Sequence, residues 1–152
     1  IFKDSNNFRD TPMFLTRLIY ASRVTECFSN SSIEHIIEKA SEDNIKNHIT
    51  GMLCFSSNYF LQCLEGSRTQ VNQTYQRILN DDRHTDITLL CYEEISVREF
   101  ASWSMGYVPS SSLTNPINLR FSGNTDFNPY KISGDSAYKM MLELKVLLPS
   151  IE

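Results

Sequence analysis

The sequence predicts a single α+β domain whose elements follow one another in the order β-α-β-β-α-β-β. Short runs rich in apolar, β-branched and aromatic residues alternate with two longer segments of helical periodicity. The second and third strands are separated only by a short polar turn, and one helix lies on each side of this pair. The order is that of the ferredoxin-like split βαβ arrangement. Right-handed crossovers then place the third strand beside the first and both helices on one face of the sheet.

The first strand and the first helix have clear boundary signals. Leu15–Ser22 is an apolar and aromatic run that predicts the first strand. Ser31 and Glu34 have the spacing of a capping box, and apolar residues at helical spacing follow, so a helix is predicted over Ser32–Lys46. Asn47 is expected to supply the left-handed turn before the next strand.

A hairpin and a second helix are predicted next. The apolar runs Ile49–Phe55 and Tyr59–Leu64 flank the turn Ser56-Ser57-Asn58 and predict strands two and three. Ser67 is expected to cap an amphipathic helix that a polar cluster at 80–84 ends. Strands one to three are apolar on both sides, which indicates that the second face of the sheet is also covered.

The remaining strands are predicted over Ile87–Ile95 and Trp103–Val108. Residues 109–134 are rich in Ser, Asn, Pro and Gly, and we interpret them as a long connection with one short helix near Ile117–Phe121. A domain at 14–108 is therefore expected, preceded by a leader arm at 1–13.

A C-terminal helical extension follows the connection, so that 109–152 is interpreted as linker and extension together. Its helix is expected to start at Asp135 or Ser136 and to continue to Leu148. The apolar arc of this helix is too wide for a free surface helix. It is expected to cover the second face of the sheet or to contact a partner chain there, and its Met140–Leu148 face is the expected surface for assembly.

Composition excludes several classes of function. The 152 residues suffice for one hydrophobic core but hardly for two domains. Fourteen basic against eighteen acidic residues give a net charge of −4, which argues against nucleic acid or an anionic membrane as a partner. No apolar run approaches the roughly 20 residues of a membrane span, and no signal-peptide pattern opens the chain. A cytoplasmic location is expected.

The cysteines and histidines indicate no metal site. The spacing of the four cysteines contains no C-x-x-C pair, and the three histidines add no pattern typical of zinc. The cysteines are Cys27, Cys54, Cys63 and Cys91. Reduced, buried thiols are the expected state of these residues.

The most informative residues are polar side chains inside apolar strands. Tyr20 lies near the end of the first strand, and Gln62 lies in the middle of the third. If the two strands are neighbours, a phenol and a primary amide meet beneath the helices. A buried glutamine has two donors and two acceptor sites to satisfy. From the residues alone, the pair either satisfies itself within the core or faces a ligand.

The other polar candidates also have ordinary structural interpretations. Asn44, in the last turn of the first helix, is typical of a residue that faces water. Arg77, Arg83 and His84 suit either a solvated helix terminus or a cationic rim for a phosphate-bearing ligand.

Trp103 and Met105 would by default pack in a core. The sequence contains no nucleophile elbow, P-loop or G-x-G-x-x-G motif. Taken residue by residue, the chain predicts a ligand pocket at most.

Five stretches in register nevertheless resemble the BLUF family of flavin-based blue-light sensors. They are Leu18-Ile19-Tyr20-Ala21-Ser22, Asn44 with Ile49-Thr50-Gly51, Phe60-Leu61-Gln62-Cys63-Leu64-Glu65-Gly66, Asp81-Asp82-Arg83-His84 and Phe100-Ala101-Ser102-Trp103-Ser104-Met105. The resemblance covers about residues 14–108. The tail resembles the short BLUF proteins, in which two helices follow the sensor and no enzymatic effector is attached.

The resemblance implies that the chain binds FAD between its two helices, with FMN or riboflavin as alternatives. Tyr20 matches the tyrosine that donates an electron and a proton to the excited flavin. Gln62 matches the glutamine that bridges tyrosine and flavin and rearranges its hydrogen bonds to the flavin C4 carbonyl and N5 after light. Trp103 and Met105 match the strand that changes its environment on signalling.

The resemblance also implies the remaining contacts of the flavin. Asn44 would hold the polar edge of the ring, and Ile36 and Ile78 would lie on its two sides. Arg83, His84 and Arg77 would line the polar or ribityl side. Two positions depart from the family pattern, since Asp43 replaces an asparagine of some members and Ala40 a serine of several. The first is expected to alter flavin contacts and the second the rate of dark recovery.

The implied function is that of a non-enzymatic photoreceptor. Its signal would leave through the Trp103–Met105 strand and the C-terminal helices to a homo-oligomer or a downstream signalling protein. Three alternatives stay open at this point: a flavin-dependent redox enzyme, an interaction module without flavin, and a detached sensor of a light-regulated cyclase or phosphodiesterase.

Overall fold

The computed structural model describes residues 14–28, 33–109 and 115–147. The predicted leader arm at 1–13, Ser31 and Ser32 at the predicted helix start, and Leu148 lie outside this part of the chain. Among the described residues, no helix combines the length and the apolar character that a membrane span needs.

Five strands in the described residues form one mixed sheet in the order β4-β1-β3-β2-β5. The strands are β1 (Leu15–Val24), β2 (Thr50–Phe55), β3 (Tyr59–Ser67), β4 (His84–Ile95) and β5 (Gly106–Pro109). β5 is parallel to β2, whereas the other neighbouring pairs are antiparallel. β3 lies beside β1, so the predicted α+β ferredoxin-like arrangement is confirmed.

The described helices follow the predicted order, with local signals at the expected places. They are α1 (Ile33–Asn47), α2 (Arg68–Leu79), α3 (Asn115–Ser122) and α4 (Gly134–Leu147), with a 3₁₀ turn at Pro129–Lys131 between the last two. Ser67 caps α2 as predicted, because its hydroxyl accepts the backbone N–H of Gln70 at 3.3 Å. Ser56 accepts the N–H groups of Asn58 and Tyr59 and thereby closes the predicted hairpin.

Two local predictions were wrong. The fifth strand begins only at Gly106, so Trp103 and Met105 belong to residues 96–105, the connection before β5. This connection turns at Trp103, whose N–H bonds to the carbonyl of Phe100 at 3.1 Å. The left-handed residue after α1 is His48, with φ of 55°, and Asn47 remains in the helix.

The sheet separates two cores. One core lies beneath α1 and α2 and contains Leu18, Tyr20, Leu53, Phe60, Leu64, Val71 and Met105. The other lies beneath α4 and contains Ile19, Met52, Leu61, Trp103, Ala137, Met140, Met141 and Leu144. The prediction that the C-terminal helix covers the second face is therefore confirmed.

The prediction that the Met140–Leu148 face of α4 is a surface for assembly was wrong for Met140, Met141 and Leu144. Met140, Met141 and Leu144 are buried against the sheet, whereas Val146, 79% exposed, points away from it. The wide apolar arc of α4 packs on the sheet of the same chain, because the second face of the sheet is also apolar. The Met140–Leu144 face is thus not available to a partner.

The start of α4 packs so closely on β4 that Gly134→Ala is expected to destabilise the fold by about 1–3 kcal/mol. A Cβ atom at Gly134 would lie 2.2 Å from the backbone carbonyl oxygen of Leu90, so helix and strand would have to separate. Urea unfolding measures the effect, with Ser136→Ala on the same helix as a matched control. Equal unfolding free energies for the two variants would contradict the expectation.

Candidate functional site

A pocket of about 300 Å³ opens between α1, α2 and the face of the sheet beneath them. The structure brings together at this pocket all eight residues predicted to bind a cofactor. They are Tyr20, Ile36, Asn44, Gln62, Arg77, Ile78, Arg83 and His84. Met105 lines the same pocket, and Trp103 does not.

Tyr20 and Gln62 form the centre of the pocket floor. They lie directly opposite each other in the β1–β3 register, so their side chains point to the same face. The Tyr20 hydroxyl donates a hydrogen bond to Gln62 Oε1. The two residues are only 3% and 7% exposed. On the other side of the amide, Gln62 Nε2 donates to the Met105 sulfur at 3.5 Å.

Burial controls the protonation of Tyr20. Desolvation raises the pKa of the phenol well above its ordinary value, and the nearby Tyr75 and Asp81 raise it further. The phenol is therefore protonated at neutral pH and can donate to Gln62. The rings of Tyr75 and His84 lie beside it, with centroids 5.8 and 6.1 Å away.

Asn44 does not face water, which corrects the ordinary interpretation of a residue at a helix end. It is buried, and its Nδ2 donates to the backbone carbonyl of Ser104 at 2.7 Å. One turn earlier on α1, the hydroxyl of Ser41 lies 2.5 Å from that of Ser104. α1 therefore contacts the pocket and the connection before β5 at the same time.

The basic residues at the rim are already partly paired. Arg83 Nε bonds to both carboxylate oxygens of Asp81, at 2.9 and 3.1 Å, and this contact holds the pKa of Asp81 below its ordinary value. Lys39 lies 3.7 Å from Asp43, and Arg77 donates to the hydroxyl of Thr74. A phosphate-bearing ligand would meet cations here, but Arg83 would share its charge with Asp81.

His84 is the first residue of β4 and not part of a solvated helix end. Its Nδ1 lies 2.8 Å from the Ser22 hydroxyl, and its Nε2 lies 2.8 Å from the Ile78 carbonyl. The ring is therefore oriented by β1 on one side and by α2 on the other. It joins the two elements at the edge of the pocket.

Trp103 and Met105 lie on opposite faces of the sheet. Met105 packs in the core beneath α1 and α2, whereas Trp103 packs in the core beneath α4, with its ring centroid 6.2 Å from that of Phe100. In a regular strand, residues i and i+2 share a face. The predicted Trp103–Met105 strand was therefore wrong, because the irregular connection turns between these residues.

Several residues of the site were missed by sequence reasoning. Ile37, Leu53, Phe60, Leu64 and Thr74 line the pocket, and Ser41 and Ser104 stand behind it. The helical spacing of Ile36, Ala40 and Asn44 could have indicated one shared face of α1. The sequence contains no comparable signal for Ser104, which lies in an irregular segment.

The residues of the pocket suit a flavin. Its walls carry the aliphatic side chains of Ile36 and Ile78, one from each helix, as a flat aromatic ring requires. Amide groups of Gln62 and Asn44 offer donors and acceptors to a polar ring edge. The pocket defines the class of protein as a flavin-binding α+β domain.

Comparison with known proteins identifies the family. Residues 15–106 match the family model for BLUF, described as sensors of blue-light using FAD. The match covers more than half of the chain, and the chain belongs to the BLUF family. It is thus a blue-light photoreceptor with FAD as its cofactor. Of the functions left open by the sequence, family membership favours the sensor over the flavin-dependent redox enzyme and over the interaction module without flavin.

Curated relatives share the sensor segment. The blue light- and temperature-regulated antirepressor BluF of Escherichia coli K12 is 34% identical over 91 residues, which are 60% of this chain and 23% of that protein. The photoactivated adenylate cyclase subunit beta of Euglena gracilis is 35% identical over 92 residues, which are 60% of this chain and 11% of that protein. The chain thus spans less than a quarter of either relative.

Solved structures are similar over a longer part of the chain. The photo-activated state of BlsA has a TM-score of 0.79 and 30% identity, covering 91% of this chain and 99% of that one. The dark state of BlrB, a BLUF protein, has a TM-score of 0.76 and 27% identity, covering 90% and 98%. The likeness therefore extends beyond the sensor segment into the C-terminal helices.

Proposed function

We propose that Tyr20 and Gln62 are the light switch of this photoreceptor. The observation that carries the proposal is the hydrogen bond from the buried Tyr20 hydroxyl to Gln62 Oε1 at the floor of the pocket. FAD, when bound, would supply the absorption of blue light and, once excited, would accept the electron and the proton that Tyr20 releases and return both afterwards. A phenol can release a proton together with an electron, and a primary amide can exchange donor and acceptor roles without gaining charge.

The chain's own part of the switch follows from these contacts. In the dark, Gln62 Oε1 accepts from Tyr20 and Nε2 donates to Met105. Once the Tyr20 oxygen has lost its proton, Gln62 Oε1 faces an oxygen that can only accept. A hydrogen bond from the Gln62 N–H to that oxygen is then favourable. To form it, Nε2 must give up its contact with the Met105 sulfur. A hydrogen bond to a thioether sulfur is weak, so breaking the contact between Gln62 Nε2 and the Met105 sulfur costs little free energy.

The other pocket residues are proposed to hold FAD. Ile36 and Ile78 would lie on the two sides of its ring, and Asn44 would contact the polar edge. The polar side would be lined by Arg77, Arg83 and His84. Arg83 is paired with Asp81, whereas Arg77 donates to the neutral hydroxyl of Thr74, so Arg77 would offer the less compensated positive charge. FMN or riboflavin would use the same ring contacts.

The signal is proposed to leave through the connection before β5. This connection contacts Gln62 through Met105 at one end, and at the other end Lys145 of α4 donates to the carbonyl and carboxylate of Glu99, at 3.0 and 3.2 Å. We infer that 14–108 senses light and that 109–152 transmits it. A change at the amide would then reach α4 by a shift between two packed arrangements.

A homo-oligomer or a downstream signalling protein is proposed to read this change. The relative from Escherichia coli is called an antirepressor and the one from Euglena a cyclase subunit, so regulation of a partner by light is inferred by similarity. We further propose a cytoplasmic location, which the free, buried thiols of Cys54 and Cys63 suit.

The absorption spectrum tests the switch. Blue light is expected to shift the spectrum of the FAD-loaded chain to the red, with return in the dark. Tyr20→Phe removes the hydroxyl and should eliminate the shift, whereas Tyr92→Phe, on an exposed tyrosine of β4, should retain it. A wild-type spectrum that bleaches or stays unchanged would overturn the proposal, as would a full shift in Tyr20→Phe.

A further inference from the structure

α1 holds Ser104 by two side chains at once. Asn44 Nδ2 donates to the Ser104 carbonyl at 2.7 Å, and the Ser41 and Ser104 hydroxyls lie 2.5 Å apart. The two helix residues are three positions apart and therefore share one face of the helix. Asn44 lines the pocket, but Ser41 does not, so a change at Ser41 leaves the walls of the pocket intact.

Ser104 is the point at which the connection passes from one core to the other. The residue before it, Trp103, packs beneath α4, and its carbonyl accepts the N–H of Gly51 of β2 at 3.1 Å. The residue after it, Met105, packs beneath α1 and accepts the Gln62 Nε2 hydrogen bond. The position of Ser104 therefore determines whether the Met105 sulfur is within reach of Gln62.

We propose that Ser41 is a positioning residue that sets the lifetime of the lit state, the arrangement formed by blue light. It acts by holding Ser104, and through it Met105, where the Gln62 amide finds its dark-state partner. The proposal rests on the switch role of Gln62 proposed above. Return to the dark requires Gln62 Nε2 to recover the Met105 sulfur, and the Ser41–Ser104 bond keeps that sulfur in place.

The expected effect of Ser41→Ala is a slower dark recovery. The substitution removes one hydroxyl and leaves the Asn44 contact to the Ser104 carbonyl. One hydrogen bond of ordinary strength changes an equilibrium or rate about two- to tenfold. Alanine is the better helix former, so the helix itself is not weakened. Flavin binding and the size of the red shift should stay as in the wild type.

Recovery kinetics of the full FAD-loaded chain test the proposal. Ser41→Ala and Ser104→Ala are each expected to slow the return about two- to tenfold, and the double variant should be no slower than either. Such non-additivity shows that the two hydroxyls act through one bond. Ser41→Thr restores the hydroxyl and should restore the rate, and Ser102→Ala, at an exposed serine of the same connection, serves as the control.

A second readout follows Met105 directly. In the FAD-loaded chain kept in the dark, with ¹³C-labelled methionine methyl groups, Ser41→Ala should shift or broaden the Met105 signal. Met140 and Met141 lie in the core on the other face of the sheet, so their signals should not change. Met105→Leu removes one methionine signal from the spectrum and thereby identifies it as that of Met105. A merely structural effect of the substitution would move all three.

The outcomes separate this proposal from the one on which it rests. A wild-type chain without a light-induced shift would overturn the switch and this proposal together. A normal wild-type shift with unchanged recovery in Ser41→Ala, or with additive effects of the two serines, would overturn only the role of Ser41. An unchanged Met105 signal would do the same.

Discussion

Replacement of Gln62 by leucine is expected to abolish the light-induced red shift while FAD remains bound. Leucine is close to glutamine in size, but it can neither accept from the Tyr20 hydroxyl nor donate to the Met105 sulfur. No amide is then left beside the Tyr20 hydroxyl to exchange donor and acceptor roles. The walls at Ile36 and Ile78 are unchanged, so binding of the ring should survive. The light-minus-dark difference spectrum measures the effect.

The same variant has a consequence for stability. Tyr20 is only 3% exposed, and its hydroxyl would lose its acceptor, which costs about 1–3 kcal/mol for a buried polar group. Gln73→Leu, at an exposed position of α2, is the matched control and should retain both the shift and the stability. A Gln62→Leu protein with an unaltered red shift would remove Gln62 from the switch.

Replacement of Glu65 by alanine is expected to cost the fold about 3–5 kcal/mol, the range for breaking a buried ion pair. Glu65 is fully buried, and Arg17, opposite it in the β1–β3 register, is nearly so. Arg17 bonds to Glu65 Oε2 at 2.9 and 3.0 Å. Without the carboxylate, the buried guanidinium would keep, among the described residues, the half-exposed Glu93 as its one carboxylate partner and the Tyr138 ring, 4.0 Å away.

The Glu65 carboxylate also holds the connection before β5. Its Oε1 accepts the backbone N–H groups of Phe100 and Glu99, at 2.8 and 3.0 Å. A double exchange of Arg17 and Glu65 for apolar residues would therefore still leave these two N–H groups without their acceptor. Glu65→Gln keeps an acceptor oxygen but not the charge, so its free energy of unfolding should lie between those of the wild type and of Glu65→Ala.

Urea unfolding distinguishes this buried pair from a surface pair. Arg68 and Glu94 form an ion pair with both side chains about half exposed, and pairs of that kind contribute about 0–1 kcal/mol. Glu94→Ala is thus the control, at a position on β4. Similar losses of unfolding free energy in Glu65→Ala and Glu94→Ala would show that burial of Glu65 does not matter for stability.

The position of the proposed switch could be predicted from the sequence because the pattern and the topology agree. Alternation placed Tyr20 and Gln62 each on one face of an apolar strand, and the element order placed those strands side by side. Their direct pairing in the sheet then followed from the register that the structure shows. The residue types implied the chemistry only through the resemblance to the BLUF family.

The connection before β5 could not be predicted in the same way. It has no regular hydrogen bonding, so the period-2 argument for Trp103 and Met105 did not apply and their opposite faces were missed. The contacts of Ser104 join residues 60 and 63 positions apart in the chain, and those of Glu65 with this connection join residues 34 and 35 apart. The sequence around each of these residues contains no pattern that indicates its distant partner.

The sequence by itself determined the order of the elements, the cap of α2 at Ser67, the hairpin turn and the family of the protein. The first three features depend on backbone hydrogen bonding and residue periodicity over a few neighbouring positions, and the family on five short stretches in register. Only the tertiary structure decided that α4 covers its own sheet rather than a partner, and that Ser104 is held by α1. Both outcomes depend on which distant surfaces fit together, because packing free energy arises between elements and not within them.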